Sequence, residues 1–201
     1  MQRIGQKGRK TVKVVIKDLK RVYDGFFKVD KAVLQHEKFD GSMSREIDRL
    51  NFNRGNTVAV ILYNKTNNSV VLVRQFRYPA YVDNGPGWLI ECVAGIKDNA
   101  EVSVARKEVL EETGYKVDEL KYLTQFYPSP GGCSERISIY LAYVDTEGEI
   151  KKEKYFGTGN EDIQVIEIPL ARAFEMIKNG EICDGKTIIG LFYLRDELEK
   201  R

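Results

Sequence analysis

The chain has 201 residues, 42% hydrophobic and 31% charged, enough for one large domain or a domain with a small appendage. A net charge of +2 supplies no global field for nucleic acid or a membrane surface, and the longest apolar runs are strand-sized, far short of a bilayer span. Three widely spaced cysteines (Cys92, Cys133, Cys183) and a single histidine, His36, argue against a disulfide framework, a zinc cluster and a Ser-His-Asp triad, and with no signal-peptide pattern a reducing, cytoplasmic compartment is expected.

In chain order, residues 1–21 carry Arg3, Lys7, Arg9, Lys10, Lys13, Lys17, Lys20 and Arg21 against Asp18. No aromatic residue interleaves them, so a solvated strand face over Thr11–Lys17 is preferred to a nucleic-acid arm. Residues 22–52 suggest short antiparallel strands, Gly25–Val29 and Ala32–Glu37, followed by an Asp40-Gly41 turn. Their apolar content is too thin for an independent core. His36 reads as exposed. Asn56–Asn64 and Ser69–Gln75 are apolar strands joined by the Lys65–Asn68 turn. Trp88–Val93, Leu120–Phe126, Ile137–Tyr143 and Ile163–Ile168 add four more. Pro169–Asn179 and Thr187–Leu198 read as helices. Strands dominate the middle and helices are few, which implies an α+β chain with a mixed sheet between helices.

The stretch from Gly95 to Tyr115 reads as a loop entering a helix. Asp98 is a good N-cap, Glu101 completes a capping box, and Gly114 suits the left-handed residue that ends a helix. Glu101, Glu108, Glu111 and Glu112 share one stripe, with Val102, Ala105 and Val109 on a flanking, inward side. Two carboxylates roughly 6 Å apart repel by about 0.7 kcal/mol in water and about 3 kcal/mol at an effective dielectric near 20. A partly buried cluster therefore needs protons or a cation, and oxygen ligands suit Mg²⁺ or Mn²⁺ before Zn²⁺. The same stripe would also serve as a solvated acidic face.

Gly95, Glu101, Lys107, Glu108, Val109, Glu111, Glu112, Gly114 and Tyr115 together resemble the Nudix box, the signature of hydrolases that cut nucleoside diphosphates linked to another group. Two features depart from that pattern: five residues separate Glu101 from Lys107 where the family has seven, and Lys107 replaces an Arg. The resemblance runs from about Phe26 to the C terminus and is nearest the enzymes for ADP-ribose and GDP-mannose. It implies a Nudix α/β/α sandwich over residues 53–201, preceded by an antiparallel β unit over residues 1–52 that builds a homodimer. It implies Mg²⁺-dependent hydrolysis of a nucleoside diphosphate sugar, of ADP-ribose or GDP-mannose type, to a nucleoside monophosphate and a sugar phosphate. The metal ligands it implies are Glu108, Glu112, the carbonyl of Ala94, and Glu161 from the Gly157–Asp162 loop.

The family's proposed water-activating Glu falls on Gly159 in this chain. Glu161, Glu111, Glu112 or a hydroxide on the metal is left for that task. Substrate contacts are implied for Arg77, at the end of the Arg74-Gln75-Phe76-Arg77 run, for Gly95 and Ile96, and for Glu135 behind Ser-Pro-Gly-Gly. They are implied also for Lys186 of Asp184-Gly185-Lys186, for Arg49, and for Phe26 as a stacking ring. Arg77 also reads as an ordinary strand-end Arg, and Asp184-Gly185-Lys186 as a plain helix start. Pro130, fifteen residues after Tyr115, leans toward ADP-ribose, whereas Lys186 leans toward GDP-mannose. A Nudix-fold nucleotide sensor without turnover is the alternative, motivated by the short helix entry, Lys107 and Gly159.

Overall fold

A computed structural model of the chain describes residues 11–82, 84–97, 101–145, 154–156 and 162–200. Asp98, Gly159 and Glu161, to which the sequence assigned roles, lie outside the described residues. The chain divides into two compact units. The first runs up to Arg54 and takes in Ser129–Ser134; the second comprises Gly55–Pro128 and Glu135–Arg201.

The first unit is an antiparallel sheet of β1 (Val14–Asp24), β2 (Lys28–His36) and β3 (Ile47–Asn53), in that order. Gly25-Phe26-Phe27, expected in a strand, forms the turn between β1 and β2 instead. β3 was not expected. Its Ile-Asp-Arg-Leu-Asn-Phe-Asn sequence alternates poorly, and the ladder with β2 fixes it. Ser129–Ser134 lie beside it, where Phe52 N–H donates to the Gly132 carbonyl at 2.8 Å. The basic residues of β1 are partly neutralised within the sheet: Arg21 Nε lies 2.9 Å from Asp30 and Lys20 Nζ 3.0 Å from Asp18. His36 is half-buried rather than exposed, its ring Nδ1 3.0 Å from the Glu37 carbonyl.

The second unit is built on an eight-stranded mixed sheet. β4 (Asn56–Asn64) and β5 (Ser69–Phe76) are followed by α1 (Tyr78–Val82), β6 (Trp88–Glu91), β7 (Val93–Lys97) and α2 (Glu101–Thr113). Then come β8 (Lys121–Phe126), β9 (Ile137–Tyr143), β10 (Lys154–Phe156), β11 (Ile163–Pro169), α3 (Leu170–Lys178) and α4 (Gly185–Glu199). The path is β10-β11-β5-β4-β9-β8, with β6 on β5 and β7 on β4; β4 and β9 are parallel and the other pairs antiparallel.

β4 is buried on both faces. Ala59, Ile61 and Tyr63 pack with Leu170, Ala173, Met176, Leu191 and Leu194 of α3 and α4. Val58, Val60 and Leu62 pack with Ala105 and Val109 of α2. Period-2 side chains thus send one strand's apolar groups into two layers, each fully buried group contributing about 1.5–3 kcal/mol. The result is the helix–sheet–helix sandwich expected from the sequence. Val102 departs from expectation: it is exposed, while Ala105 and Val109 face inward.

Candidate active site

β4 and β5 pair only over Leu62–Asn64 and Ser69–Val71, then part. β6 and β7 fill the gap, β6 continuing β5 and β7 continuing β4. The sequence suggested a single strand over Trp88–Val93. In the structure it breaks at Cys92, whose N–H donates to Thr187 Oγ1 at 2.7 Å instead of joining the ladder. That switch of partner strand leaves Glu91 against Lys186 at the start of α4 and Gly95 against Glu108 of α2.

α2 lays Glu108 against Gly95. A Cβ added to Gly95 would fall under 3.0 Å from Cγ, Cδ and Oε1 of Glu108, so only glycine lets this carboxylate lie on the strand. One turn later Glu112 is buried, 8% exposed, as are Ala105, Val109 and Thr113 of the same helix. The helix ends as anticipated: Gly114 has φ +74°, and its N–H donates to the Leu110 carbonyl at 2.9 Å. Glu111 is exposed, 3.5 Å from Lys107. Glu101 opens α2 and takes Lys97 Nζ at 3.0 Å. Burial together with the Glu101 charge pushes the neighbouring Tyr140 phenol up to about 12.

The cationic side of the site comes from β5 and α4. Arg77 ends the β5 run, and its carbonyl accepts the first N–H groups of the short α1, from Ala80 and Tyr81, at 3.0 and 3.2 Å. Its guanidinium grips Glu91 bidentately: Nε donates to Oε1 and Nη2 to Oε2, both at 2.9 Å. Lys186 Nζ donates to the same Oε2 at 2.6 Å and lies 3.0 Å from Asp184. Asp184 caps α4, accepting from Thr187 N at 3.0 Å and Thr187 Oγ1 at 2.6 Å. Burial would push the Glu91 carboxyl up; the Arg77 hydrogen bonds and the Lys186 charge outweigh it and hold the group below the usual carboxylate range. The Arg77 guanidinium is raised first by its hydrogen bonds to Glu91, with the charges of Glu112 and Asp184 adding.

Of the residues the sequence singled out, Arg77, Lys186, Glu112, Glu108, Gly95 and Ala94 belong to this region. Ile96 is on β7 and exposed. Glu135 is buried at the start of β9, where its Oε1 accepts the Thr57 hydroxyl at 2.5 Å. Phe26 and Arg49 belong to the first unit: Phe26 is 83% exposed, its ring centroid 4.8 Å from that of Phe27, and Arg49 is exposed on β3. Glu91 was missed. Its signal was a lone acid inside the apolar run Trp88–Val93, a buried charge that demands partners.

The Gly95 cradle under Glu108 and the buried carboxylate of Glu112 offer oxygen donors, the chemistry that suits a hard divalent cation. Among the described residues no three acidic, His or Cys side chains close on one point.

A family model described as NUDIX domain matches residues 53–187. The chain is 43% identical over 184 residues to a GDP-mannose pyrophosphatase of Shigella flexneri serotype 5b (strain 8401), covering 90% of this chain and 94% of that protein. A GDP-mannose pyrophosphatase of Escherichia coli (strain K12 / DH10B) is 42% identical over 184 residues, with the same shares covered. A solved structure described as an ADP compounds hydrolase aligns with TM-score 0.68 at 21% identity, covering 96% of this chain and 98% of its own, a likeness of fold.

Proposed function

The chain belongs to the Nudix family, and from that premise we propose that it hydrolyses the diphosphate bond of a nucleoside diphosphate sugar with Mg²⁺, Mn²⁺ being the substitute ion. The relatives named for GDP-mannose favour that substrate, with ADP-ribose second. The observation that carries the reading is the Glu108–Glu112 pair of α2, one carboxylate cradled on Gly95 and the other buried, with its charge acting on the guanidinium of Arg77.

Glu108, Glu112 and the Ala94 carbonyl would hold the ion, with Glu161 as a further ligand. Bound there, a divalent ion neutralises the diphosphate and makes water more acidic. Arg77 offers a planar fork to phosphate oxygens, and Gly95 and Ile96 line the strand beside them. Water attacks one phosphorus, the bond from that phosphorus to the bridging oxygen breaks, and a nucleoside monophosphate and a sugar phosphate leave. The water's proton passes to a carboxylate among Glu111, Glu112 and Glu161. Phe26, Arg49, Glu135 and Lys186 are the remaining candidates for recognition of base and sugar. Charge neutralisation and positioning carry the catalysis, because anhydride cleavage needs little covalent help.

Incubation with Mg²⁺ and a panel of nucleoside diphosphate sugars tests the proposal, with product phosphates resolved by chromatography. Turnover of GDP-mannose, lowered about a hundredfold or more in Glu112→Gln without loss of fold, is expected. Binding without product from any sugar overturns it in favour of a sensor. Running the reaction in ¹⁸O-labelled water identifies the phosphorus attacked.

A homodimer through the first unit is part of the proposal. β1 exposes Val14, Ile16, Leu19, Val22 and Tyr23, an apolar surface that favours cover by another chain. Sedimentation velocity at micromolar protein tests it, a monomer being the refuting result. A cytoplasmic site of action fits the unbridged thiols of Cys92 and Cys183. No helix among the described residues is long and apolar enough to cross a membrane.

A further inference from the structure

We infer that Glu91 is a positioning residue that aims the Arg77 guanidinium at the substrate diphosphate; this rests on the reaction proposed above. Glu91 is 1% exposed, yet it stands in a strand between apolar neighbours. A buried carboxylate is tolerated only when paired, and here both oxygens are committed. Oε1 takes Arg77 Nε, and Oε2 takes Arg77 Nη2 and Lys186 Nζ.

The two cations differ in what they leave free. The Lys186 side chain is 11% exposed and its ammonium is shared by Glu91 and Asp184. The Arg77 side chain is 41% exposed. Its hydrogen bonds use Nε and Nη2, and among the described residues Nη1 makes none. The guanidinium is therefore held along one edge and open along another, which suits an anion.

Glu112 supplies the reason such a holder matters. Its charge already acts on Arg77. A guanidinium released by Glu91 would be free to turn toward that charge, on a carboxylate that the proposed reaction reserves for the cation. Glu91 thus keeps the phosphate-binding charge and the cation-binding charge apart, and Lys186 with Asp184 keeps Glu91 ionised and in place.

The first test needs no turnover. In ligand-free wild-type protein labelled with ¹⁵N, the Arg77 Nε–H signal, assigned by its loss in Arg77→Lys, is expected to exchange slowly with solvent. Exchange at the rate of a free Arg overturns the clamp. The second is a kinetic cycle with GDP-mannose and Mg²⁺. Glu91→Gln is expected to lower kcat/KM about a hundredfold and to raise the Mg²⁺ concentration for half-maximal rate, with no further loss when added to Arg77→Ala. Multiplicative losses overturn the inference. If Glu91→Gln loses cooperative unfolding in urea, Glu91→Asp replaces it, keeping the charge on a shorter arm. Wild-type protein that cleaves no diphosphate sugar sinks the proposed reaction, whereas active wild type with multiplicative losses sinks only the role of Glu91.

Discussion

Gly95→Ala isolates the contact on which the Glu108 assignment depends. Gly95 pairs with Val58 in β7 and has no positive φ, so alanine strains nothing in the backbone. The added methyl would stand under 3.0 Å from three atoms of the Glu108 side chain. Carbon atoms in contact settle at about 3.5–4.0 Å, so the carboxylate must withdraw by about 1 Å. Overpacking a closed core costs about 1–3 kcal/mol, but Glu108 is only half-buried and can swing outward, which places the loss at the lower end. At about 2–4 °C per kcal/mol for a chain of this size, Tm should fall by roughly 2–4 °C. Misplacement on the same scale costs about a hundredfold in catalysis. Activity should therefore collapse while the fold persists, with the Mg²⁺ requirement rising about tenfold. Initial rates over a Mg²⁺ titration, alongside calorimetric melting, measure both effects. Wild-type kcat at wild-type Mg²⁺ dependence would refute a ligand role for Glu108.

Acid should weaken the protein through Glu91. Its carboxyl is held below the ordinary range in the folded state, so its pairing contributes fully above the unfolded value of about 4.3 and is lost as pH falls through the lower folded value. The Tm gap between wild type and Glu91→Gln should shrink steadily below about pH 4; a gap constant from neutral to strongly acid solution contradicts this. Gly114→Ala forces a methyl side chain into φ +74° and against the Phe156 ring, at 3.0 Å from Cζ. About 1–2 kcal/mol of stability should be lost, read from urea unfolding, and an unchanged midpoint would mean that the helix end relaxes freely. Burial pushes the Cys92 thiol up to about 12, whereas Cys183 is exposed. A thiol reagent at pH 8 should label Cys183 quickly and Cys92 only on unfolding, as peptide mapping would show.

Several features were readable directly from the chain. β4 and β9 occupy the spans their apolar runs suggested, and α2 ends at the glycine that the helix pattern pointed to. Each is set by residues within a turn or a strand of one another. α1, β3 and β10 escaped notice because little in their own composition specifies them. α1 is a single turn begun on the Arg77 carbonyl, and the two strands are edge strands defined by ladders with β2 and β11. The break at Cys92 likewise depends on a hydroxyl from Thr187, ninety-five residues away.

The same division runs through the site. Helical periodicity alone put Glu108 and Glu112 on one face, because residues four apart in a helix must be neighbours. Which of the acids is cradled, buried or left to solvent depended on the strand beneath: Glu108 rests on Gly95, Glu112 is enclosed, and Glu111 pairs with Lys107 in water. Arg77 and Lys186 were singled out one at a time, each as a contact for a ligand. The fold gave them a common partner, Glu91, fourteen residues from one and ninety-five from the other. Local periodicity can arrange charges along one element. Only the packing of β6 between β5 and the start of α4 decides which opposite charge a buried carboxylate will meet, since that meeting is an exchange of hydration for contacts made across the whole chain.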